Sequence, residues 1–252
     1  MSDAILRQLV EMSRYLGAPH RTYAILGEGN TSAKVDANTF YVKASGFTLA
    51  DADEGAFVRV AISTVTELLD NPSAGDEEVT ATFQRALVEP GEKRRPSTEA
   101  FLHAVLLRFP GINFVGHTHP IYTNMILSSK KAQEAMSGRL CPDHIVSMAH
   151  KSCYVPYVDP GLVMAREVKR RVEDFAQAEG MLPRAIVLEN HGLFALGDCP
   201  KAVTSITDMT EKMSQIIVGT YALGGPSFMP EESVNRIFTR PDEAYRLKII
   251  AK

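Results

Sequence analysis

The triplet His117-Thr118-His119 has the clearest chemical potential in this 252-residue chain. It follows an apolar run, residues 112–115, that predicts a buried strand. Side chains two residues apart on a strand point to the same face, so both imidazoles can reach one point in space. Zinc takes about four ligands, and a catalytic ion leaves one position open. The pair therefore predicts half of a metal site; the alternative is two histidines that form only local hydrogen bonds.

Two further residues are candidate metal ligands. His191 lies in a turn between two apolar segments, 185–188 and 193–196, which together predict a hairpin, and the following Gly192 allows close approach of the backbone. Glu99 lies in the first turn of a predicted helix that leads directly into the strand of the histidine pair. Glu99 and the pair can therefore be neighbours at one end of a sheet. The alternative for Glu99 is a carboxylate that offsets the helix dipole.

The remaining histidines fit structural roles better. His103 follows Glu99 by four residues on the same helical face, which makes a Glu-x-x-x-His ligand pair conceivable. Its neighbours are core-facing, so we expect it to pack in the core with one ring nitrogen satisfied. Three histidines lie in polar or turn-like segments and are expected to be surface or structural residues: His20, His144 and His150.

A second set of residues is polar and rich in glycine. It offers exposed backbone N–H groups, small hydroxyls, an amide and a helix N-terminus, from which a phosphate or carboxylate pocket can be built. Its members are Asn30, Ser45, Gly46, Ser97 and Thr98. Each fragment alone is common turn chemistry. The neighbouring Lys43 could add charge, but we expect it to face solvent.

Hydrophobic periodicity predicts the elements that position these residues. Helices are predicted over 5–16, 65–69, 97–109, 121–127, 162–178 and 204–223. Strands are predicted over 23–26, 33–36, 39–43, 58–62, 112–115, 153–158, 185–188 and 193–196. Part of 71–95 is predicted to be an exposed loop, and the tail from about 226 is proline-punctuated. Since the motifs on both sides of that loop need each other, we predict a single domain over 1–252.

The composition narrows the functional class. With 45% hydrophobic and 23% charged residues, the chain is typical of a folded, soluble enzyme. A net charge of −3 without a basic stripe argues against nucleic acid as a partner. Three scattered cysteines favour a reducing compartment. No run is long enough to span a bilayer, so no membrane association is expected and the cytoplasm is the predicted location.

Five motifs occur in order along nearly the whole chain, from about residue 5 to about 223. They are Gly29-Asn30-x-Ser32, Lys43-Ala-Ser45-Gly46, Ser97-Thr98-Glu99, His117-x-His119-Pro120 and Asn190-His191-Gly192. This spaced series resembles the class II aldolase/adducin family. The resemblance implies an α/β fold: a single three-layer αβα domain with a mainly antiparallel central sheet. It also implies a homo-oligomer, usually a tetramer with sites at subunit interfaces.

The resemblance also implies roles for the candidate residues. A divalent metal, zinc first with manganese or iron as alternatives, would be held by His117, His119 and His191. Glu99 would be a further ligand or the acid/base residue. The phosphate of the substrate would lie among Asn30, Ser45, Gly46, Ser97 and Thr98. Thr98 stands where the family's aldolases commonly have a second serine, and the hydroxyl is kept.

The implied reaction is that of a metal-dependent carbon-carbon lyase similar to fuculose- and rhamnulose-phosphate aldolases. It would cleave a ketose phosphate to dihydroxyacetone phosphate and an aldehyde through a metal-stabilised enediolate. Tyr122, Tyr154 and Tyr157 are candidates for a second acid. One alternative on the same scaffold is a decarboxylase (carboxy-lyase) acting on a 3-keto sugar acid; a pentose-phosphate 4-epimerase and a thio-sugar dehydratase are others. The non-enzymatic alternative is an adducin-like interaction module, although adducin lacks the metal histidines.

Overall fold

The sheet at the centre of the molecule has seven strands. A computed structural model describes residues 2–71 and 73–243. The strands are β1 (Asn30–Lys34), β2 (Thr39–Lys43), β3 (Phe57–Ala61), β4 (Phe114–Thr118), β5 (Cys153–Val155), β6 (Ala185–Leu188) and β7 (Gly192–Gly197). Their order is β3-β2-β1-β4-β7-β6-β5, and only β5 and β6 pair in parallel. The predicted α/β fold with a mainly antiparallel sheet is confirmed.

Helices cover both faces of this sheet. They are α1 (Ser2–Leu16), α2 (Ile62–Glu67), α3 (Asp76–Ala86), α4 (Ala100–Leu107), α5 (Ile121–Leu127), α6 (Ala132–Ser137), α7 (Pro142–Met148), α8 (Leu162–Glu179), α9 (Pro200–Thr220) and α10 (Glu231–Phe238). One core lies between the sheet and α2, α4 and α8, and the other between the sheet and α1, α5 and α9. Along β7, Phe194 faces the first core and Leu193 the second, because successive side chains of a strand alternate. None of the described helices is long and apolar enough to cross a membrane.

The central position of β4 determines which residues can meet at its end. This strand lies between β1 and β7, where His117 is opposite Asn30 on one side and Phe194 on the other. It begins two residues later than predicted and contains His117, whereas His119 directly follows it. The carboxyl end of β4 therefore lies beside the start of β1 and the start of β7. Three distant chain segments converge at this edge of the sheet.

Several elements differ from the sequence expectations. The stretch 71–95 contains the helix α3, whose first turn is closed by the Glu78 carboxylate accepting the Gly75 N–H at 2.9 Å. The many charges of this stretch concealed the apolar face of α3, where Phe83 is buried in the core. Residues 23–26 form no strand, and the short helices α6 and α7 were not predicted.

The tail from about 226 contains the helix α10. Its side chains Val234 and Ile237 pack against Ile145 of α7, so this part of the tail adds a small third hydrophobic cluster. The amphipathic spacing of three residues lets both side chains face the same neighbour. Residues 244–252 of the predicted tail lie outside the described residues.

Candidate metal centre and adjoining cavity

Three imidazoles meet at the edge of the sheet. His117 lies on β4, His119 directly follows it, and His191 lies in the turn between β6 and β7. The ring nitrogens that these residues offer to an ion lie within 4.8 Å of one another. Nε2 of His119 is 2.9 Å from Nε2 of His117. The structure thus brings together the three histidines that the sequence selected as metal ligands.

Close packing of the backbone keeps the cluster tight. A β-carbon added at Gly192 would lie 2.6 Å from the carbonyl oxygen of Thr118 and 2.7 Å from the His119 ring, so only glycine fits. From the other side, the Asn124 amide of α5 donates to the carbonyl oxygen of His191 at 3.0 Å. The hairpin turn is therefore held between β4 and α5, as close to the histidine pair as the backbone permits.

Glu99 completes the cluster. One carboxylate oxygen is 3.1 Å from Nε2 of His191 and the other is 3.3 Å from Nε2 of His117. The side-chain amide of Asn30 donates to the same carboxylate at 2.6 Å. Glu99 is the residue immediately before α4, at its N-cap position, and not within its first turn as predicted. From there its side chain projects across the end of β1 to the histidines.

The charge states suit a divalent cation. Burial lowers the pKa of His117 to about 3, against the opposing effect of Glu99, so this imidazole is neutral at physiological pH. Its Nδ1 donates to the carbonyl oxygen of Leu193 at 3.0 Å, which leaves the lone pair of Nε2 facing the cluster. Burial also lowers the pKa of His119. Burial raises the pKa of Glu99, but the nearby His117 and His191 and the hydrogen bond from Asn30 lower it by more. The net pKa lies well below the usual range, so the group is a carboxylate.

The spacing of these donors also fits a metal ion. Four ligands at 2.0–2.2 Å from zinc stand about 3.3 to 3.6 Å apart in a tetrahedron. The separations here are 2.9 Å between the two Nε2 atoms of the histidine pair, and 3.1 and 3.3 Å from Glu99 to its two histidine neighbours. These three separations need to lengthen by only a few tenths of an ångström to match that geometry. Imidazole nitrogens and a carboxylate are a common donor set for zinc and iron.

A buried histidine orients the amide that holds Glu99. His103 on α4 is fully buried, with Nδ1 2.6 Å from the Ser32 hydroxyl and Nε2 hydrogen-bonded to the Asn30 side-chain oxygen. Both ring nitrogens are therefore partnered, not one as expected. Since its oxygen is engaged by His103, the Asn30 amide must direct its NH₂ group at Glu99. No local pattern in the sequence indicates this relay.

The other histidines have structural or surface positions, as expected. His144 is buried and its Nδ1 accepts the backbone N–H of Leu140 at 3.3 Å. His150 lies 2.8 Å from the carboxylate of Glu179, at the end of α8. His20 is exposed on the surface. None of these three side chains belongs to the described cluster of His117, His119 and His191.

A cavity of about 310 Å³ adjoins the histidines. It is lined by Gly27, Glu28, Gly29, Asn30, Lys43, Ser45, Gly46, Ser97, Thr98, Glu99, His119, Pro160 and His191. All five residues predicted to bind a phosphate line this cavity. Gly46 has φ +90 and open space where a β-carbon would stand, so its backbone is accessible from the cavity.

Lys43 was expected to face solvent, and that expectation is wrong. The residue is only 3% exposed, it lines the cavity, and its Nζ donates to the carbonyl oxygen of Phe47 at 2.6 Å. Burial lowers the pKa of Lys43, and the nearby Glu99 carboxylate partly restores it. The alternation of β2 places this side chain beneath the loop that follows, which the local sequence did not reveal.

Comparison with known proteins identifies the family. The model of the family described as "Class II Aldolase and Adducin N-terminal domain" matches residues 7–218. The chain belongs to this family. The resemblance drawn from the five motifs is therefore confirmed, and each of the five motifs of the class II aldolase/adducin chain contributes at least one residue to the cluster or the cavity.

Individual relatives of this class II aldolase/adducin chain differ in length. It is 25% identical over 243 residues to the uncharacterized oxidoreductase YuxG of Bacillus subtilis (strain 168), covering 89% of this chain and 32% of that protein. It is 28% identical over 148 residues to 5-deoxy-D-ribulose 1-phosphate aldolase of Bacillus thuringiensis serovar kurstaki, covering 58% of this chain and 63% of that protein. The chain thus spans less than two thirds of either relative.

A solved structure shows the same fold. An L-fuculose 1-phosphate aldolase superposes with a TM-score of 0.71 at 16% identity, covering 98% of both chains. At 16% identity, this similarity is evidence for the fold of the class II aldolase/adducin chain alone.

The three tyrosines proposed as a second acid are not among the residues lining the cavity. Burial and a hydrogen bond to Glu189 raise the pKa of Tyr154 to about 12, which makes it a weak proton donor. Tyr157 is 53% exposed and donates to Asp159 at 3.1 Å. The backbone N–H of Tyr122 is bound by the buried Glu211. In this class II aldolase/adducin chain, the described cavity wall thus contains no tyrosine hydroxyl.

Proposed function

We propose that this chain is a divalent-metal-dependent aldolase-type lyase that cleaves a ketose phosphate to dihydroxyacetone phosphate and an aldehyde. The observation that carries the proposal is the juxtaposition of a three-histidine cluster, with Glu99 at its edge, and a cavity that contains a buried lysine. A metal site beside an anion pocket is what a sugar phosphate with a reactive carbonyl requires. Family membership supports the reaction class.

His117, His119 and His191 would hold the ion, with Glu99 as a further ligand or as the acid/base group. Zinc is the first choice and manganese or iron are alternatives, because imidazole and carboxylate donors accept all three. When bound, the ion supplies Lewis-acid polarisation of the substrate carbonyl. Nδ1 of His117 is fixed on the Leu193 carbonyl oxygen, so the direction of its Nε2 lone pair is set before any ligand arrives.

Glu99 is the proposed proton carrier. Its carboxylate faces both the histidines and the cavity, and the Asn30 amide fixes its orientation. A carboxylate in this position can hold or move a proton at the carbon next to the substrate carbonyl. Because His103 determines which way the Asn30 amide points, the relay keeps the negative charge of Glu99 directed at the reacting centre.

The cavity wall away from the histidines is the proposed phosphate site. Ser45, Gly46, Ser97 and Thr98 provide hydroxyls and backbone N–H groups, and Lys43 provides a positive charge. A buried cation interacts more strongly with a phosphate than an exposed one, because the surrounding medium screens it less. The Bacillus thuringiensis relative is a 5-deoxy-D-ribulose 1-phosphate aldolase, which supports a sugar 1-phosphate as the substrate class.

The test combines metal analysis with a substrate panel. Purified protein is expected to contain close to one equivalent of a transition metal per chain, and Glu99→Gln is expected to abolish turnover. Incubation with ketose 1-phosphates and 3-keto sugar acids should release dihydroxyacetone phosphate from a member of the first group. Release of carbon dioxide from a keto acid would replace the aldolase with a decarboxylase. Absence of bound metal in the wild type would favour an interaction module.

A further inference from the structure

Glu28 is a cavity residue for which the five motifs assign no role. It lies between two glycines in the turn before β1, and its Oε1 is 3.9 Å from Nδ1 of His119. Its other oxygen, Oε2, accepts the backbone N–H of Ile25 at 3.0 Å. One oxygen thus closes the turn while the other is directed at a candidate metal ligand. A carboxylate on the far nitrogen of a metal-binding imidazole is a recurrent arrangement in metal sites.

The position of Glu28 is determined by the backbone around it. The N–H of His119 donates to the carbonyl oxygen of Tyr23 at 2.7 Å, and the N–H of Glu28 donates to that of Ile25 at 3.0 Å. Gly29 has φ +67, and a β-carbon there would stand 2.7 Å from the carbonyl oxygen of His117. The turn is therefore held beside β4 on both sides of the glutamate, and the Ile25 N–H keeps the partly exposed Glu28 carboxylate on the side of the turn that faces His119.

The hydrogen bonds around His119 require its ring proton to be on different nitrogens in the metal-free and metal-bound states. Nδ1 of His117 carries a proton because it faces a carbonyl oxygen, so its Nε2 can only accept. The contact of 2.9 Å between the two Nε2 atoms then requires that His119 donates from Nε2 when no ion is bound. In that tautomer Nδ1 of His119 has a lone pair, which the Glu28 carboxylate does not approach closely. The distance of 3.9 Å is consistent with this state.

An ion bound at Nε2 of neutral His119 requires the opposite tautomer. The proton then lies on Nδ1, where Glu28 is the nearest carboxylate that can accept it. A hydrogen bond formed in only one of two states stabilises that state relative to the other. We infer that Glu28 is a positioning residue that favours metal binding by accepting a hydrogen bond from Nδ1 of His119 in the metal-bound state. The inference rests on the proposed function, since it requires a metal at the histidines.

The substitution Glu28→Gln separates this role from closure of the turn. The side-chain oxygen of glutamine can still accept the Ile25 N–H, but its NH₂ group cannot accept from His119. Glu28→Ala removes both contacts, and Glu77→Gln, at an exposed carboxylate on α3, is the control for loss of charge. Zinc and cobalt(II) affinities are measured by competition with a chromophoric chelator. We expect Glu28→Gln and Glu28→Ala to weaken both by about 10- to 100-fold.

A second readout separates orientation from a simple charge effect. In the zinc-loaded wild type, long-range ¹H–¹⁵N spectra should show His119 protonated at Nδ1 with a slowly exchanging proton, and that proton should exchange faster in Glu28→Gln. Unchanged affinity in Glu28→Gln, with loss only in Glu28→Ala, would show that Glu28 merely closes the turn. Weakened affinity with an unchanged Nδ1 proton would also overturn the inference. A wild type that binds no metal would refute the proposed function as well.

Discussion

The candidate ligands His117 and His191 differ in how much they contribute to packing of the core. The His117 side chain is fully buried and its ring stacks on Phe194 with centroids 4.1 Å apart, whereas the His191 side chain is 14% exposed at the hairpin turn. A buried aromatic ring contributes packing as well as a ligand nitrogen. The same substitution at the two positions should therefore affect metal binding equally and stability differently.

Replacement of either histidine by alanine is expected to reduce zinc affinity by at least about 100-fold, since a direct ligand of the ion is lost. His117→Ala should also lower the free energy of unfolding of the metal-free protein by about 2 to 4 kcal/mol, because it leaves a cavity in the core. His191→Ala should change it by about 0.5 kcal/mol or less. Metal titration and urea unfolding measure the two effects. Retention of zinc by His191→Ala would contradict the three-histidine site.

Lys43 offers a test of the phosphate pocket. Lys43→Met keeps the length and apolar volume of the side chain but removes the charge beside the proposed phosphate. We expect at least a tenfold rise in KM for the best phosphorylated substrate, because a charged hydrogen bond contributes about 1.5 to 3 kcal/mol. The effect on kcat should be smaller, since the site lies away from the reacting carbon.

The matched control is Lys34→Met, at a partly buried lysine that does not line the cavity. Steady-state kinetics of both variants give the comparison. An equal rise in KM for the two variants, or none in Lys43→Met, would remove Lys43 from the substrate site.

At the scale of elements, the pairing of β4 with β7 decides whether the site exists. The two strands are joined from Phe114 opposite Gly197 to Thr118 opposite Leu193, and this register places the hairpin turn beside the histidine pair. A strand shifted by one residue would point its side chains to the opposite face. At the glycine that begins β7, Gly192, a side chain would have no room beside the carbonyl oxygen of Thr118.

Gly192→Ala is expected to disturb this contact. Its new methyl group would lie 2.6 Å from a carbonyl oxygen of β4, so the strands must separate, at a cost of about 1 to 3 kcal/mol. We expect a lower melting temperature and weaker zinc binding together. Gly219→Ala in α9, where no atom lies within 4 Å of the added methyl group, should be neutral or stabilising by up to about 1 kcal/mol. Equal behaviour of the two variants in thermal unfolding would contradict this account.

The sequence predicted some elements better than others for a physical reason. β6, β7 and α8 are marked by apolar periodicity within one segment, and their observed bounds lie within one or two residues of those expected. The helix α3 begins with three consecutive acidic residues, and it is held in place by tertiary contacts of a few side chains such as Phe83. α6 and α7 are too short for a helical period to be visible. Local pattern failed where long-range packing supplies the stability.

At the scale of the whole molecule, several buried histidines link stability to pH. Burial lowers the pKa of His103 to about 4, that of His117 to about 3 and that of His144 to about 2, the last with help from the nearby Arg139. The ordinary value in an unfolded chain is about 6.5. Below that pH these histidines are protonated in the unfolded chain but remain neutral in the folded protein. The stability that these groups permit is therefore complete above about pH 6.5 and is lost as the pH falls.

Metal-free protein should accordingly lose stability as the pH falls from about 6.5 to about 5, with each such histidine contributing up to about 1.4 kcal/mol per pH unit. His144→Gln should reduce the change in the free energy of unfolding per pH unit by about the contribution of one histidine. Glutamine can accept the Leu140 N–H without binding a proton. The exposed His20→Gln is the control. Urea unfolding at several pH values measures the slopes, and an unchanged slope in His144→Gln would contradict the assignment.

Three expectations about the whole protein stay predictions: a single domain over 1–252, a cytoplasmic location and a homotetramer. The tetramer can be tested by light scattering after gel filtration. We expect a mass about four times that of the 27.7 kDa chain. Elution as a 27.7 kDa species with full aldolase activity would refute both the tetramer and the need for a subunit interface at the site.

The sequence by itself determined which residue types carry the chemistry. The histidine pair on one strand, the glutamate near the start of a helix, the later histidine at a tight turn and the polar glycine-rich turns are all visible locally, and together they indicate the family. Only the tertiary structure decided how they are joined. Two of these contacts join segments that are distant along the chain: Glu28 with His119, and His103 with Asn30. A third contact, between Lys43 and Phe47, spans a turn. Such contacts depend on strand register and on the direction of each side chain, and neither is encoded in local periodicity.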